Sequence, residues 1–495
     1  MPSRPVQIVP PYKGVVTAAP FEGAGQGELY SCLDILPFDY KTERGRLAVR
    51  PGYEDLGADG TNMLAVLNVA PDETYQRLLL LAYGGEFYKF NIADNTTTQV
   101  GGANIIKTGV TVLAAPYLQK LYIANHDLSP LVYDGDANTI GTWSGSDGPP
   151  TDCTIICEWS NRIVMAGDPA APHVWYMSRI GDPDDWTYAT DDASSPVAAT
   201  DIDGGNISEP ITALIPHNRD CIIFGYASGM TILRGNPAAG GSMERLSYVT
   251  GPVNSTAWCR TPDDWTFFIC RDGLYKMPPG CGTTPAPASD QIPQSLKGVD
   301  GINTKAYLVY DVLFGVIQII LQGDTNESWF YDTRNQGFWP QTVPGTGILA
   351  VCRFYPLETT ESSGALIACA DGVKRLDKDS TLATPTAYAK FGPLLLSSLG
   401  SKQLIERATV KMGSNTDDDD CTLALYCAES AEAVVAAPVG RGDTITAAAL
   451  AANHMNWHAR VGGHAAMFTI TQDDNTKHWS FEAAAFYVQP TGKER

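Results

Sequence analysis

One unit recurs seven times between Arg77 and Asp377, and it limits the fold more than any other feature of the chain. It is an apolar strand, a turn of Gly, Asp, Asn or Pro, and a second strand of aromatic or β-branched residues. The seven copies are RLLLLAY-GGE-FYKFNI from Arg77, KLYIAN-HDLSP-LVYDGD from Lys120, RIVMAG-DPAAPH-VWYMSR from Arg162, DCIIFG-YASG-MTILRG from Asp220, DWTFFIC-RDG-LYKMP from Asp264, VIQIILQ-GDTNES-WFYDTR from Val316 and ALIACA-DG-VKRLD from Ala365. Aligning the second strands places Tyr88, Val132, Trp175, Thr231, Tyr275, Phe330 and Lys374 in register, with successive spacings of 44, 43, 56, 44, 55 and 44 residues. A period near 44 is that of a β-propeller blade.

A further apolar segment precedes each hairpin: NMLAVLNV, VTVLAAPY, DCTIICEW, ITALIPH, STAWCR, AYLVYDV and ILAVCRF. Three strands joined by tight turns make an antiparallel meander, and the polar stretches between units leave room for a fourth strand. Runs such as Leu78 to Ala82 and Cys221 to Phe224 are apolar without alternation, as strands covered on both faces are. A large β-sandwich would also repeat its turns, but not at one blade length. The sequence therefore predicts an all-β fold: a propeller of six or seven antiparallel blades over residues 61–387. It is preceded by an extended N-terminal lead-in over 1–60, which either completes a blade or contacts a partner protein. From Tyr388 the pattern changes to LIERATVKMG, CTLALYCAE, AMFTITQ and WSFEAAAFYV, which predict a C-terminal β-sandwich over 388–495. Alanine content predicts one helix, from Thr444 to Asn453.

Composition narrows the function. Of 495 residues, 34 are Lys or Arg and 55 are Asp or Glu, a net charge of −21, which disfavours a groove built to neutralise phosphates. Gly 47 and Pro 33 suit many short strands and turns. The start, MPSRPVQIVPPYKG, has prolines where a signal peptide carries an apolar run, so export by that route is not expected. The longest apolar stretch, Val312 to Leu321, is too short to span a bilayer as a helix. Eleven cysteines without a CxxC pair signal neither a disulfide framework nor a zinc ribbon.

Four constellations carry the residue types of a site. His454, His458 and His464 have the spacing of the long zinc-protease motif, but Met455 stands where its general base belongs and Val461 where its glycine does, so surface or packed histidines are expected. Asp417 to Asp420 is a run of like charge without the alternation of a calcium loop, and reads as a solvated hairpin tip. Asp134, Asp136 and Asn138 do alternate, but Thr139 replaces the glycine of a calcium loop, which leaves an Asx-rich turn. Asp182, Asp184 and Asp185 beside Trp186 have the composition of a glycoside hydrolase site, yet the segment is not repeated and reads better as a packed loop. No catalytic residue, cofactor site or metal site is assigned, and the chain is not expected to be an enzyme. A glycan-binding propeller would use Trp143, Trp159 and Trp186 as sugar platforms.

The segments GRLAVRPGYEDLG (Gly45 to Gly57), SNRIVMAGDPAAPHVWYMSRIGDPDDW (Ser160 to Trp186), GPVNSTAW with RDGLYKM (Gly251 to Met277), FGPLLLSS, TVKMG and WSFEAAAFYV resemble the tail nozzle, or tail tubular protein B-type, propeller proteins of short-tailed bacteriophages. The resemblance implies a virion protein made in the host cytoplasm. It would be a homohexameric ring below the portal and adaptor proteins, near the tail fibres, through which DNA is retained and ejected without sequence-specific binding. A head-completion protein, a fibre-docking hub and a receptor-binding propeller are the alternatives.

Overall fold

A computed structural model describes residues 4–491 apart from 18–26, 72–73, 93, 203–204, 281, 283, 293, 325, 344, 356–363, 378–386, 397–401, 415, 417–420, 437–441, 447–453, 473 and 475–476. The fold is all-β, and its larger part is a propeller. Every predicted hairpin is present. Each is preceded by its expected strand, here Met63–Val69, Leu113–Tyr117, Ile155–Trp159, Ile211–Asn218, Trp258–Arg260, Thr304–Asp311 and Ala350–Phe354. These seven strands are the first of seven four-stranded antiparallel meanders, called blades 1 to 7 in chain order. Six blades are separate four-stranded sheets, and blade 6 is the end of a ten-stranded sheet. The residues aligned from sequence all fall on the third strand of their blade. The longer spacing comes from an excursion between the third and fourth strands of blade 3, running from Met177 to Val197, and the other from the connection between the fourth strand of blade 5 and the first of blade 6, running from Pro287 to Thr304.

The unbroken apolar runs are explained by two-sided burial. In the second strand of blade 1, Leu80 and Ala82 pack on Leu121 and Ile123 of blade 2, while Leu79 and Leu81 pack on Leu366 and Ala368 of blade 7. In blade 4, Ile222 and Phe224 face Val164 and Ala166 of blade 3, and Cys221 and Ile223 face Phe268 and Cys270 of blade 5. Adjacent side chains of one strand thus serve different neighbours. Each buried Leu, Ile or Phe contributes about 1.5–3 kcal/mol over an exposed one, and none can be made polar without opening an interface between blades.

The lead-in does more than extend. Gly52–Asp55 is the outer strand of blade 7, paired antiparallel with Gly372–Asp377, so the N-terminal region closes the last blade. Lys374 Nζ meets Asp55 at 2.6 Å and Arg375 meets Glu54 at 2.6 Å across that seam. Arg4–Ile8 pairs with Ser480–Pro490 in the sandwich. Gly14–Val15 lies parallel to both Gly337–Pro340 of blade 6 and Glu28–Leu33, and the latter pairs with Tyr388–Leu395. One sheet therefore runs from blade 6 into the sandwich. Gly14, at φ 78°, is required at this join, because a Cβ there would lie 2.4 Å from the Phe338 carbonyl oxygen. The other sandwich sheet is built on Gln403–Met412 and Ser480–Pro490 with Leu47–Val49 and Ile35–Leu36. Between the two sheets Phe391, Phe468, Phe481 and Phe486 form an aromatic core with ring centroids 5.2 to 5.9 Å apart.

The helix expected at Thr444 to Asn453 is not formed where it is described. Gly442–Thr446 is a strand paired with Cys421–Ala428, and 447–453 lie outside the described residues. β-Branched Thr444, Ile445 and Thr446 beside an open sheet edge outweigh alanine propensity. The sequence carries no signal for a disulfide, yet Cys221 is disulfide-bonded, whereas nine other described cysteines are thiols.

Lead-in, blade 6 and blade 7 meet at a buried polar network. Asp34, at φ 56°, marks the corner where the chain leaves one sandwich sheet for the other. Its carboxylate accepts from Arg50 Nε at 2.6 Å, and from the Thr342 N–H and hydroxyl at 2.8 and 2.9 Å. Arg50 also donates to the Pro51 and Thr342 carbonyls and lies 4.9 Å over the Tyr53 ring. The Tyr53 hydroxyl reaches Gln318 and Gln341, and Gln318 donates to Asp311 at 3.2 Å. Asp311 accepts the Leu313, Phe314 and Ala365 N–H groups, the last from blade 7. Burial pushes its carboxyl up to about 6 against these hydrogen bonds.

Replacing Arg50 by Met leaves the Asp34 carboxylate buried without its guanidinium. A loss of about 3–5 kcal/mol is expected in urea unfolding, with part recovered when Asp34→Asn is added. The second expectation concerns pH. The folded-state value of Asp311 stands above the unfolded one, so its stabilising contribution is complete below about pH 4 and is lost as pH rises through about 6. The unfolding free energy of the Asp311→Asn variant, measured relative to the native sequence, should therefore move in the variant's favour by about 2–3 kcal/mol between those limits. A difference independent of pH would refute the assignment.

Candidate binding site at the end of the propeller axis

The residues singled out from sequence are mostly part of the framework. Trp143 is buried and donates from Nε1 to Asp184 Oδ1 at 2.9 Å; its ring meets Trp186 edge-on at 5.6 Å and Tyr122 at 4.7 Å. Asp182 accepts the Asp184 N–H. Asp185 accepts the Thr187 N–H and lies 3.5 Å from Arg179, while Ser146 and Asp185 form a parallel bridge. The GDPDDW excursion is thus stitched to blade 2 by its own carboxylates and tryptophan. Trp159 is buried too, with Nε1 donating to the Asn218 carbonyl at 2.9 Å. Trp143 and Trp159 therefore present no face on which a sugar could stack.

Asp134 accepts the Asp136 and Ala137 N–H groups, and Asn138 accepts from Tyr133, which is an Asx turn. His454 begins the strand His454–Trp457, paired with Lys411, and His458 is exposed just beyond it. Four residues of extended chain span about 13 Å, not one helical turn. His464 lies 3.7 Å from Glu429. Asp417 to Asp420 lie outside the described residues. Among the described residues, no group of three or more His, Cys, Asp or Glu side chains is placed to hold a metal ion.

A pocket with charged walls was not legible from any motif. Every blade starts at its first strand, so the C-terminal ends of the seven first strands gather at one end of the axis. There, blades 3, 4 and 5 enclose a cavity of about 430 Å³ lined by Glu158, Trp159, Ser160, Asn161, Pro216, Asn218, Arg219 and Arg260. Ser160 and Asn161 both have positive φ, 51° and 59°. That is the hairpin geometry usually given to Asn-Gly, here held without a glycine. Glu158 accepts the Asn161 N–H at 3.1 Å and Trp159 ties the turn to blade 4. Beneath it, buried Arg162 donates to the Ser178 and Ser195 carbonyls at 2.7 Å and to Asn236 at 3.0 Å. Burial lowers the Arg162 pKa to about 10. In blade 4 the pairing slips between Pro216 and Asn218, turning Asn218 and Arg219 toward the cavity mouth.

Arg260 supplies the fifth-blade wall. Burial lowers its pKa, and the one carboxylate paired with it among the described residues, that of Asp264, lies at 4.0 Å. Its Nε is buried without a hydrogen-bond partner. The neighbouring His217 is held between the Thr266 hydroxyl and the Gly280 carbonyl, both at 3.0 Å, and burial lowers its pKa. Farther around the same end, Arg353 stacks on Tyr355 at 4.3 Å and Arg77 donates to the Tyr355 carbonyl. Arg77 and Arg353 thus stand at the same end as Arg219 and Arg260. The cavity wall holds a single carboxylate, so it lacks the pair that glycoside hydrolysis requires. It can bind and orient an anionic, hydrogen-bonding group. A second cavity, of about 470 Å³ beside Gln322, Ser328, Gln341 and Ile348, carries no charged wall.

No protein-family description matches the chain, and no curated protein does. Among solved structures, it is similar to the extracellular domain of a hybrid two component system from B. thetaiotaomicron, with 9% identity and a TM-score of 0.42. That match covers 75% of this chain and 47% of the other, so the chain spans about half of that structure. The extracellular domain of a one component system from the same organism gives 12% identity and a TM-score of 0.44, over 75% and 45%. YCF48 from Cyanidioschyzon merolae gives 12% and 0.37, over 65% and 97%.

If the GDPDDW carboxylates are structural, Asp184→Ala should lower the thermal unfolding midpoint. It strands the buried Trp143 indole N–H, a cost of about 1–3 kcal/mol. An unchanged melting curve would mean that the contact contributes nothing.

Proposed function

We propose that the chain is a structural subunit of a tailed-bacteriophage virion, a ring-forming tail protein through which genomic DNA is retained and released. The observation that carries this reading is the hydrogen-bonded sheet running without interruption from blade 6 into the sandwich. A force on either body is transmitted through ladder hydrogen bonds rather than a hinge, which suits a conduit wall. Three of the segments that resemble tail nozzle proteins lie at the joints of this framework. Gly45 to Gly57 holds Arg50 and Tyr53 and closes blade 7, and FGPLLLSS and WSFEAAAFYV supply sandwich strands. The net charge of −21 supports passage of DNA, because a protein acidic on balance repels the phosphate backbone.

Adaptor and portal proteins on one side and tail fibres on the other are the partners this reading calls for. No helix among the described residues is long and apolar enough to cross a membrane. The test is assembly. Mass photometry and negative-stain imaging of the purified chain should show a closed ring, a hexamer by the resemblance, with an open lumen. A protein that stays monomeric at micromolar concentration, alone and with its neighbouring virion proteins, would sink the proposal.

A further inference from the structure

The cavity between blades 3, 4 and 5 is chemically lopsided, and the asymmetry identifies a ligand class. Blades 4 and 5 contribute two guanidinium groups, Arg219 and Arg260, and blade 3 contributes the Glu158 carboxylate and the Asn161 amide. We propose that this cavity binds a carboxylate-bearing sugar, a hexuronate unit of an acidic polysaccharide.

A guanidinium fork matches a carboxylate bidentately. Arg260 is available for that role: its side chain is a third exposed, and its Asp264 partner stands at the 4.0 Å limit of an ion pair. Arg219 is exposed at the rim, where it can close over the same carboxylate. Glu158 offers an acceptor and Asn161 an amide to the ring hydroxyls, and the Pro216 ring offers an apolar surface to the C–H face. A cavity of about 430 Å³ is within the range of small-ligand pockets. Phosphate fits the walls less well. Its charge is spread over every oxygen and would meet Glu158 across the cavity, whereas a uronate is anionic on one edge only. The site is also built in advance. The left-handed Ser160-Asn161 turn, the Trp159 to Asn218 hydrogen bond and the slipped pairing at Pro216 hold the wall from two blades. The inference concerns a single subunit and does not depend on ring assembly.

The full-length protein is titrated by calorimetry and by saturation-transfer NMR with methyl β-D-glucuronide, with methyl β-D-glucoside and inorganic phosphate as comparators. Saturable binding of the glucuronide in the millimolar range is expected, at least tenfold tighter than the glucoside. Arg260→Gln should weaken it about tenfold. The exposed Arg219→Met, which removes charge without disturbing the fold, should weaken it less. Glu158→Gln should weaken the sugar while improving phosphate binding. Equal affinity for the glucoside, tighter binding of phosphate, or no saturation by the glucuronide would each overturn the proposal. An Arg219→Met variant that binds the glucuronide like the native protein would remove Arg219 from the site.

Discussion

The buried pair of Asp34 and Arg50 is the contact on which the relation between the two halves depends. Both side chains are removed from water, so neither charge is tolerable alone. Each is satisfied only when three distant pieces of chain arrive together: the lead-in corner at Asp34, the Arg50-Pro51 segment before the closing strand, and Thr342 beyond blade 6. The pair therefore makes closure of the propeller and seating of the sandwich one event. Tyr53, three residues after Arg50, extends the coupling through Gln318 to Asp311, whose other hydrogen bonds reach into blade 7.

Around that joint, the propeller obeys one packing rule. A second strand that must satisfy a neighbour on each side has no polar face to give up. This is why runs such as Leu79 to Ala82 and Ile163 to Ala166 are apolar at every position and fully buried. Because the ring distributes this burial evenly, its ends are free to vary. The turns that close the first strands, among them Ser160-Asn161 and Asn218-Arg219, carry polar and charged groups at little cost to the core. Arg353 lies there over the Tyr355 ring and Arg77 donates to the Tyr355 carbonyl, so both guanidinium groups find partners outside the blade interfaces.

Much of the fold was legible from residues alone. The seven hairpins, their preceding strands and the four C-terminal sandwich strands Gln403–Met412, Cys421–Ala428, Ala465–Gln472 and Ser480–Pro490 follow from apolar patterning and turn chemistry, which act over a few residues. The helix proposed at Thr444 failed at Gly442–Thr446 because a neighbouring strand edge, invisible in local composition, had hydrogen bonds to offer. The tryptophans Trp143 and Trp159 were misleading as platforms for the same reason. Their indole N–H groups find acceptors in other loops, Asp184 and the Asn218 carbonyl, that draw them into the core.

Local spacing by itself determined the class and the repeat, since a strand's period and a turn's backbone demand are written in adjacent residues. The tertiary structure alone decided which segment closes blade 7, how blade 6 continues into the sandwich, and which residues line the charged cavity. Glu158, Arg219 and Arg260 are scattered over about a hundred positions, and they become neighbours only because successive blades return their first strands to the same end of one axis.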